Sequence, residues 1–197
     1  MSKTNLVNLE GRHPIIKTRV WWQERIISSE MCDLLLNEMD WSKAHEGGIL
    51  RKGETHHNHE RRKTNLLFLD TLSPIGCIMQ CYIGVANVQS NWNFATTLIE
   101  PVQVGQYNVG SHYDWHCDTY NPDEFGNQRK LSSVLILSNP EDYEGGILEL
   151  KDLDDPIPKL SKGSIIVFPS VLPHRVTEVT SGMRYSAVAW AVGPAFK

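Results

Sequence analysis

The segment HYDWHCD, residues 112 to 118, holds two imidazoles, two carboxylates and a thiol. In an extended strand, side chains alternate between faces, so residues two apart point the same way. His116 and Asp118 therefore share a target that Cys117, between them, cannot reach. His112 and Asp114 have the same parity, and alternation alone does not choose between the pairs. An imidazole and a carboxylate so placed make two corners of a metal site and need a third ligand from elsewhere. Apart from His112 and His116, the second half offers one histidine, His174 in FPSVLPHRVTEV, at the start of a predicted strand.

Two histidines and one carboxylate on one face of an octahedron form the facial triad of non-haem Fe(II) oxygenases, which leaves positions open for a cosubstrate and O₂. A second feature accompanies it. Arg184 and Ser186 in RYS share a strand face, and the nearest acidic residue before Arg184 is Glu178. A buried guanidinium is costly unless a carboxylate or phosphate meets its fork of donors. Trp190 shares that face if the strand stays regular, so Trp190 and Tyr113 are read as pocket walls. The run HHNHERRK, with His56, His57, His59, Arg61, Arg62 and Lys63, reads as a solvated loop, because no cysteine or carboxylate cluster beside it supports zinc. Cys77 and Cys81 read as small core hydrophobes.

These residues need a scaffold. The chain has 197 residues, 41% hydrophobic and 21% charged, with a formal charge of -4, the balance of an ordinary globular domain with no general attraction for nucleic acid. No apolar run is long enough to span a bilayer, and MSKTNLVNLEGRHP has no apolar leader core, so a cytoplasmic location and free thiols at Cys32, Cys77, Cys81 and Cys117 are expected. Ser28 or Ser29 is predicted to cap a helix with Met31, Leu34, Leu35 and Met39 on one face. Ser73 caps a second, with Pro74 in its first turn and Ile75, Ile78, Met79 and Tyr82 on one face. From Trp92 onward, short runs rich in Val, Ile and Leu alternate with Gly, Pro and Asn, the pattern of an antiparallel sandwich or barrel. The expected plan is one domain over residues 1–197, with helical support in 1–91 and a β core in 92–197.

The segment QVGQYNVGSHYDWHCD, followed by His174 and RYS, resembles the Fe(II)/2-oxoglutarate-dependent dioxygenases, and within them the prolyl 4-hydroxylase branch with its PKHD-type hydroxylases. YNVGSHYDWHCD follows that branch's YxxGxxYxxHxD pattern, and the closing strands agree through residue 191. The resemblance implies a mainly β fold with flanking helices, a double-stranded β-helix or cupin-like jelly roll. It implies iron on His116, Asp118 and His174, with the distal carboxylate of 2-oxoglutarate on Arg184 and hydroxyl donors from Ser186 and Tyr107. Fe(II), 2-oxoglutarate and O₂ are the implied cofactors, with ascorbate as reductant, and the implied product is a hydroxylated side chain of a protein or peptide, prolyl first. Arg62 and Arg129, in loops near the mouth where the family holds its peptide, become substrate-contact candidates beside Tyr113 and Trp190. One departure stands out: some relatives bring a Tyr or Lys from the middle strand to the distal carboxylate, whereas LSSVLILSN offers only Ser132, Ser133 and Ser138.

Two rivals remain. One is hydroxylation of a free amino acid or small metabolite. The other is a cupin-like metal-binding module without oxygenase activity, since fold does not fix function. Repair dealkylation of nucleic acid is not expected, because that branch carries a second arginine six residues after the first, where this chain has Trp190.

Overall fold

Both serine caps form. In the computed structural model, which describes residues 18–51, 54–56, 58–153 and 155–196, Ser28 Oγ accepts from the Met31 amide and Ser73 Oγ from the Gly76 amide, each at 3.2 Å. These caps satisfy amides that the first helical turn leaves unpaired. The run MSKTNLVNLEGRHP and His57 lie outside the described residues.

The first half contains β1 (Trp21–Gln23), α1 (Ser29–Asn37), β2 (His45–Glu46), β3 (Ile49–Arg51), β4 (Glu54–His56), β5 (Arg62–Lys63), β6 (Asn65–Leu69) and α2 (Pro74–Gln89). Then come β7 (Leu98–Ile99), β8 (Val102–Tyr107), β9 (His112–His116), β10 (Asn127–Ile136), β11 (Tyr143–Gly145) and β12 (Leu148–Leu150). The chain closes with β13 (Ile165–Pro169), β14 (His174–Val176), β15 (Val179–Gly182) and β16 (Arg184–Pro194). The major sheet has the order β1-β13-β10-β16-β8-β6-β2, with β7 also on β16, and the minor sheet the order β12-β14-β9-β5. Strand pairing is antiparallel throughout the described residues. Two facing antiparallel sheets with helices outside make the expected jelly roll.

Alternation sorts the central strands into two cores. On β16, Ala187, Ala189 and Ala191 join Leu131 and Leu135 of β10, Ile165 and Val167 of β13, and Met79, Ile83 and Ala86 of α2 in the outer core. Small residues on β16 let the helix approach its sheet closely. The opposite faces of the same strands supply Val134, Ile136, Ile166 and Phe168 to an inner core, where they meet Leu148, Leu150 and Val176 of the minor sheet. The site lies on this inner side.

The first half contributes more than helices. β1, β2 and β6 extend the major sheet and β5 the minor one. The buried face of α1 also differs from expectation: Cys32 is buried, with Leu35, Leu36 and Met39 packed against the core, while Met31 and Leu34 are 44% and 55% exposed. Both apolar stripes were available in the sequence, and docking selects the one that meets the sheet. On α2, Ile75 and Met79 are buried and Tyr82 packs against them, but Ile83 and Ala86 continue the buried face rather than Ile78. Cys77 and Cys81 are exposed, so their reading as core hydrophobes is incorrect; they lie on the side of α2 turned from the sheet. No helix among the described residues is long and apolar enough to cross a membrane.

Candidate active site

His116 ends β9 and pairs in register with His174 on β14. Asp118 lies just beyond the strand, held by its own amide, which donates to the Ser170 carbonyl at 3.0 Å. The Nε2 atoms of His116 and His174 stand 3.5 and 3.3 Å from the two carboxylate oxygens of Asp118, with the three side chains 11%, 7% and 8% exposed. Among the described residues, this is the one cluster of three whose ligand atoms all lie within 4.8 Å of one another. Each imidazole is oriented through its other nitrogen: His116 Nδ1 donates to the Asp114 carbonyl at 2.7 Å, and His174 Nδ1 to the Leu172 carbonyl at 2.9 Å. That arrangement turns both Nε2 atoms toward Asp118, and these are the atoms a metal would take as ligands.

Burial would raise the Asp118 carboxyl, but the charge and hydrogen bonds of His174 and His116 hold it well below the usual range. Burial pushes His116 below an ordinary imidazole despite its contact with Asp118. At His174 the same desolvation is outweighed by Asp118, and the pKa is raised. A carboxylate kept ionised beside two imidazoles is a donor set for a divalent cation.

Support for Asp118 comes from a residue that sequence reasoning did not assign. Ser132 on β10 donates to Asp118 Oδ2 at 2.7 Å and lies 2.9 Å from the Ser170 hydroxyl, both serines being fully buried. The signal was a pair of serines inside the apolar run KLSSVLIL. Ser133 instead donates to the Ala189 carbonyl, and Ser138 accepts from the Tyr185 amide. None of the three middle-strand serines bonds to Arg184.

The choice between the two HxD pairs is resolved by a β-bulge. Val176 pairs with Tyr113 and His174 with His116, so β9 carries an extra residue between these pairings. The bulge reverses parity, and Tyr113 stacks on His116 with ring centroids 3.6 Å apart. His112 turns away to the Glu60 carbonyl, and Asp114 is exposed.

Arg184 opens β16 opposite Tyr107 of β8. It is 1% exposed, its Nη1 donates to Ser186 Oγ at 2.9 Å, and its guanidinium lies 5.1 Å from the Tyr107 ring centre. Its Nε is buried without a hydrogen-bond partner among the described residues. Gly146 is needed here: its φ is +57°, and a Cβ would come within 2.8 Å of Arg184 Cδ. Triad, Tyr107, Arg184, Ser186, Tyr113, Arg62 and Trp190 all line one pocket, whose walls Val134, Phe168 and Val188 are apolar. A buried cation with an unmet donor beside a metal-type triad suits a small dianionic chelator such as 2-oxoglutarate. A larger cavity of about 460 Å³ adjoins it across Arg184 and Leu148, bounded by the apolar segment around Ile157.

The two arginines assigned to loops are in strands. Arg62 is buried on β5. Arg129 is on β10, and its fork is already filled: Nε and Nη2 donate to the two oxygens of Glu100 at 2.8 and 2.5 Å, while its guanidinium covers Trp190 at 3.8 Å. It is not a free anion contact, because Glu100 occupies it. His59 faces Glu46 at 2.9 Å.

Comparison with known proteins agrees with this geometry. Residues 102–192 match the 2OG-Fe(II) oxygenase superfamily. A PKHD-type hydroxylase of Parvibaculum lavamentivorans is 40% identical over 92 residues, covering 45% of this chain and 40% of its own. The PKHD-type hydroxylase PiuC of Pseudomonas aeruginosa is 32% identical over 120 residues, covering 55% and 53%. The chain thus spans about half or less of these curated relatives. The fold is similar to that of the viral collagen prolyl hydroxylase of Paramecium bursaria Chlorella virus-1, solved with 2OG, with TM-score 0.70, 21% identity, and coverage of 92% of this chain and 99% of that one.

Proposed function

We propose that the chain is a 2OG-Fe(II) oxygenase of the PKHD-type and prolyl hydroxylase kind, and that it hydroxylates a side chain of a protein or peptide, with prolyl the first candidate; the match over residues 102–192 and the likeness to PKHD-type hydroxylases support this reading. His116, Asp118 and His174 hold Fe(II) through two Nε2 atoms and one carboxylate. Arg184 receives the distal carboxylate of 2-oxoglutarate in a charge-assisted pair, with Ser186 and Tyr107 offering hydroxyls beside it. When bound, the metal and cosubstrate supply the oxidising chemistry: 2-oxoglutarate, O₂ and a C–H bond become succinate, CO₂ and a C–OH group.

The chain's own part is positioning and exclusion of water. Ser132 and the Ser170 backbone keep Asp118 aimed, and the carbonyls of Asp114 and Leu172 fix the imidazole tautomers. Val134, Phe168 and Val188 keep the pocket dry, which strengthens each charge interaction inside it. Tyr113 and Trp190 wall the side from which substrate arrives. The observation that carries the oxygenase reading over a generic metal module is Arg184, buried, cationic and incompletely bonded beside the triad.

Succinate release measured with Fe(II), 2-oxoglutarate and ascorbate, with and without proline-containing peptides, tests the proposal. Peptide-stimulated succinate with a gain of one oxygen on the peptide is expected. Stimulation by free metabolites alone would reject the peptide assignment, and no 2-oxoglutarate turnover under any condition would reject the reaction.

A further inference from the structure

Arg62 is the second buried guanidinium of the pocket, and none of the metal or cosubstrate roles above uses it. It is 6% exposed and sits on β5, paired in register with Tyr113 of β9. Its Nη1 donates to the Gly48 carbonyl at 3.1 Å, and its guanidinium lies over the Tyr113 ring at 4.4 Å. Its Nε and Nη2 are both buried with no hydrogen-bond partner among the described residues. These two atoms form one edge of the guanidinium, whose parallel N–H bonds match the two oxygens of a carboxylate.

Arg129 offers the internal comparison. The same Nε and Nη2 edge grips both oxygens of Glu100. Both arginines flank the aromatic walls of the pocket, one on Trp190 and the other on Tyr113. One edge is filled from within the chain, and the other is unfilled among the described residues. Gly47 lies beside the unfilled edge, where a Cβ would stand 2.9 Å from Arg62 Nε and crowd it. Tyr113 stacks in turn on His116, so one aromatic ring separates the Arg62 guanidinium from a metal ligand. Trp190 Nε1, on the same pocket, is a further buried donor without a partner among the described residues. Leaving such donors unmet in a buried site is unfavourable, and a ligand that meets them gains what the empty protein lacks.

We propose that Arg62 receives a carboxylate of the primary substrate. The substrate class is then acidic: a free amino acid or other carboxylic acid, or a peptide presenting an acidic side chain or its C-terminus close to the hydroxylated carbon. This deepens the oxygenase reading and rests on it. It also separates the two arginines of the pocket, Arg184 for the cosubstrate and Arg62 for the substrate.

The test is calorimetric. The protein is loaded with Mn(II) and N-oxalylglycine, a non-reactive analogue that takes the 2-oxoglutarate position. It is then titrated with acetate against acetamide, L-proline against L-prolinamide, and Ac-Gly-Pro-Glu-NH₂ against Ac-Gly-Pro-Gln-NH₂. At least one acid should bind about 30-fold or more tightly than its amide. Whether the proline pair or the peptide pair discriminates separates a free acid from a peptide carboxylate. Arg62→Gln should erase the preference and Arg62→Lys keep part of it, with N-oxalylglycine affinity unchanged in both as the check that the site is folded. No acid preferred over its amide, or a preference that survives Arg62→Gln, would overturn the proposal. Failure of the Mn(II)-loaded wild type to bind N-oxalylglycine would instead strike the oxygenase reading beneath it.

Discussion

Arg184 and Ser132 act on different partners, and their substitutions separate accordingly. Deleting one member of a buried charge pair costs about 2–5 kcal/mol, or roughly 30-fold to a few thousand-fold in affinity. Arg184→Ala should weaken 2-oxoglutarate by that order while Fe(II) binding, set by the triad, changes little. Arg184→Lys should restore only part, since it keeps the charge but loses the planar fork. Titration of both ligands on each variant checks this, and parallel loss of iron would contradict the assignment. Ser132→Ala should do the reverse. Removing the hydroxyl that steadies Asp118 Oδ2 should weaken metal by about 10- to 100-fold, the range for groups that orient a ligand. The same titration reads it, and an unchanged metal affinity would assign Ser132 to packing alone.

At the scale of elements, β16 was legible in the sequence because its alternation is unbroken from Arg184 through Trp190, with alanines on the outer face and RxS on the inner. β9 was not legible in the same way. Its bulge lies between residues with ordinary strand propensities and is visible only from its pairing with β14, so parity left His112 and His116 equivalent. Helix faces were half legible, since α1 has two apolar stripes and only docking chooses Cys32 and Leu35 over Met31 and Leu34. That choice is testable by thiol chemistry. Cys32 is fully buried, and burial pushes its thiol up to about 11, while Cys77 and Cys81 are exposed. In the folded protein, iodoacetamide at neutral pH should label Cys77 and Cys81 and spare Cys32, as read by peptide mass spectrometry; rapid labelling of Cys32 would mean that α1 does not pack as described. On α2, Met79→Ala removes a fully buried side chain from the outer core and should cost about 2–5 kcal/mol in a denaturant titration. A cost under about 1 kcal/mol would mean that the helix does not seat on the sheet.

For the whole molecule, the minor sheet carries both histidines and the major sheet carries Arg184, so metal and cosubstrate held as proposed would together bridge two sheets whose facing sides are lined with apolar residues. Ligands that bind only the folded state stabilise it by about 2.7 kcal/mol at a hundredfold excess over Kd, so Fe(II) with 2-oxoglutarate should raise Tm and a chelator should reverse the gain. The fold itself rests on the two apolar cores, and His116→Ala, Asp118→Ala and His174→Ala should remain folded while losing turnover. The account is tested most directly by anaerobic titration of the Fe(II)-loaded protein with 2-oxoglutarate. A weak visible metal-to-ligand charge-transfer band should appear and saturate at one equivalent, be absent in Asp118→Ala, and require far more 2-oxoglutarate in Arg184→Ala. No band in the wild type at saturating cosubstrate, or an undiminished band in Asp118→Ala, would contradict the assignment of this pocket as an Fe(II)/2-oxoglutarate site.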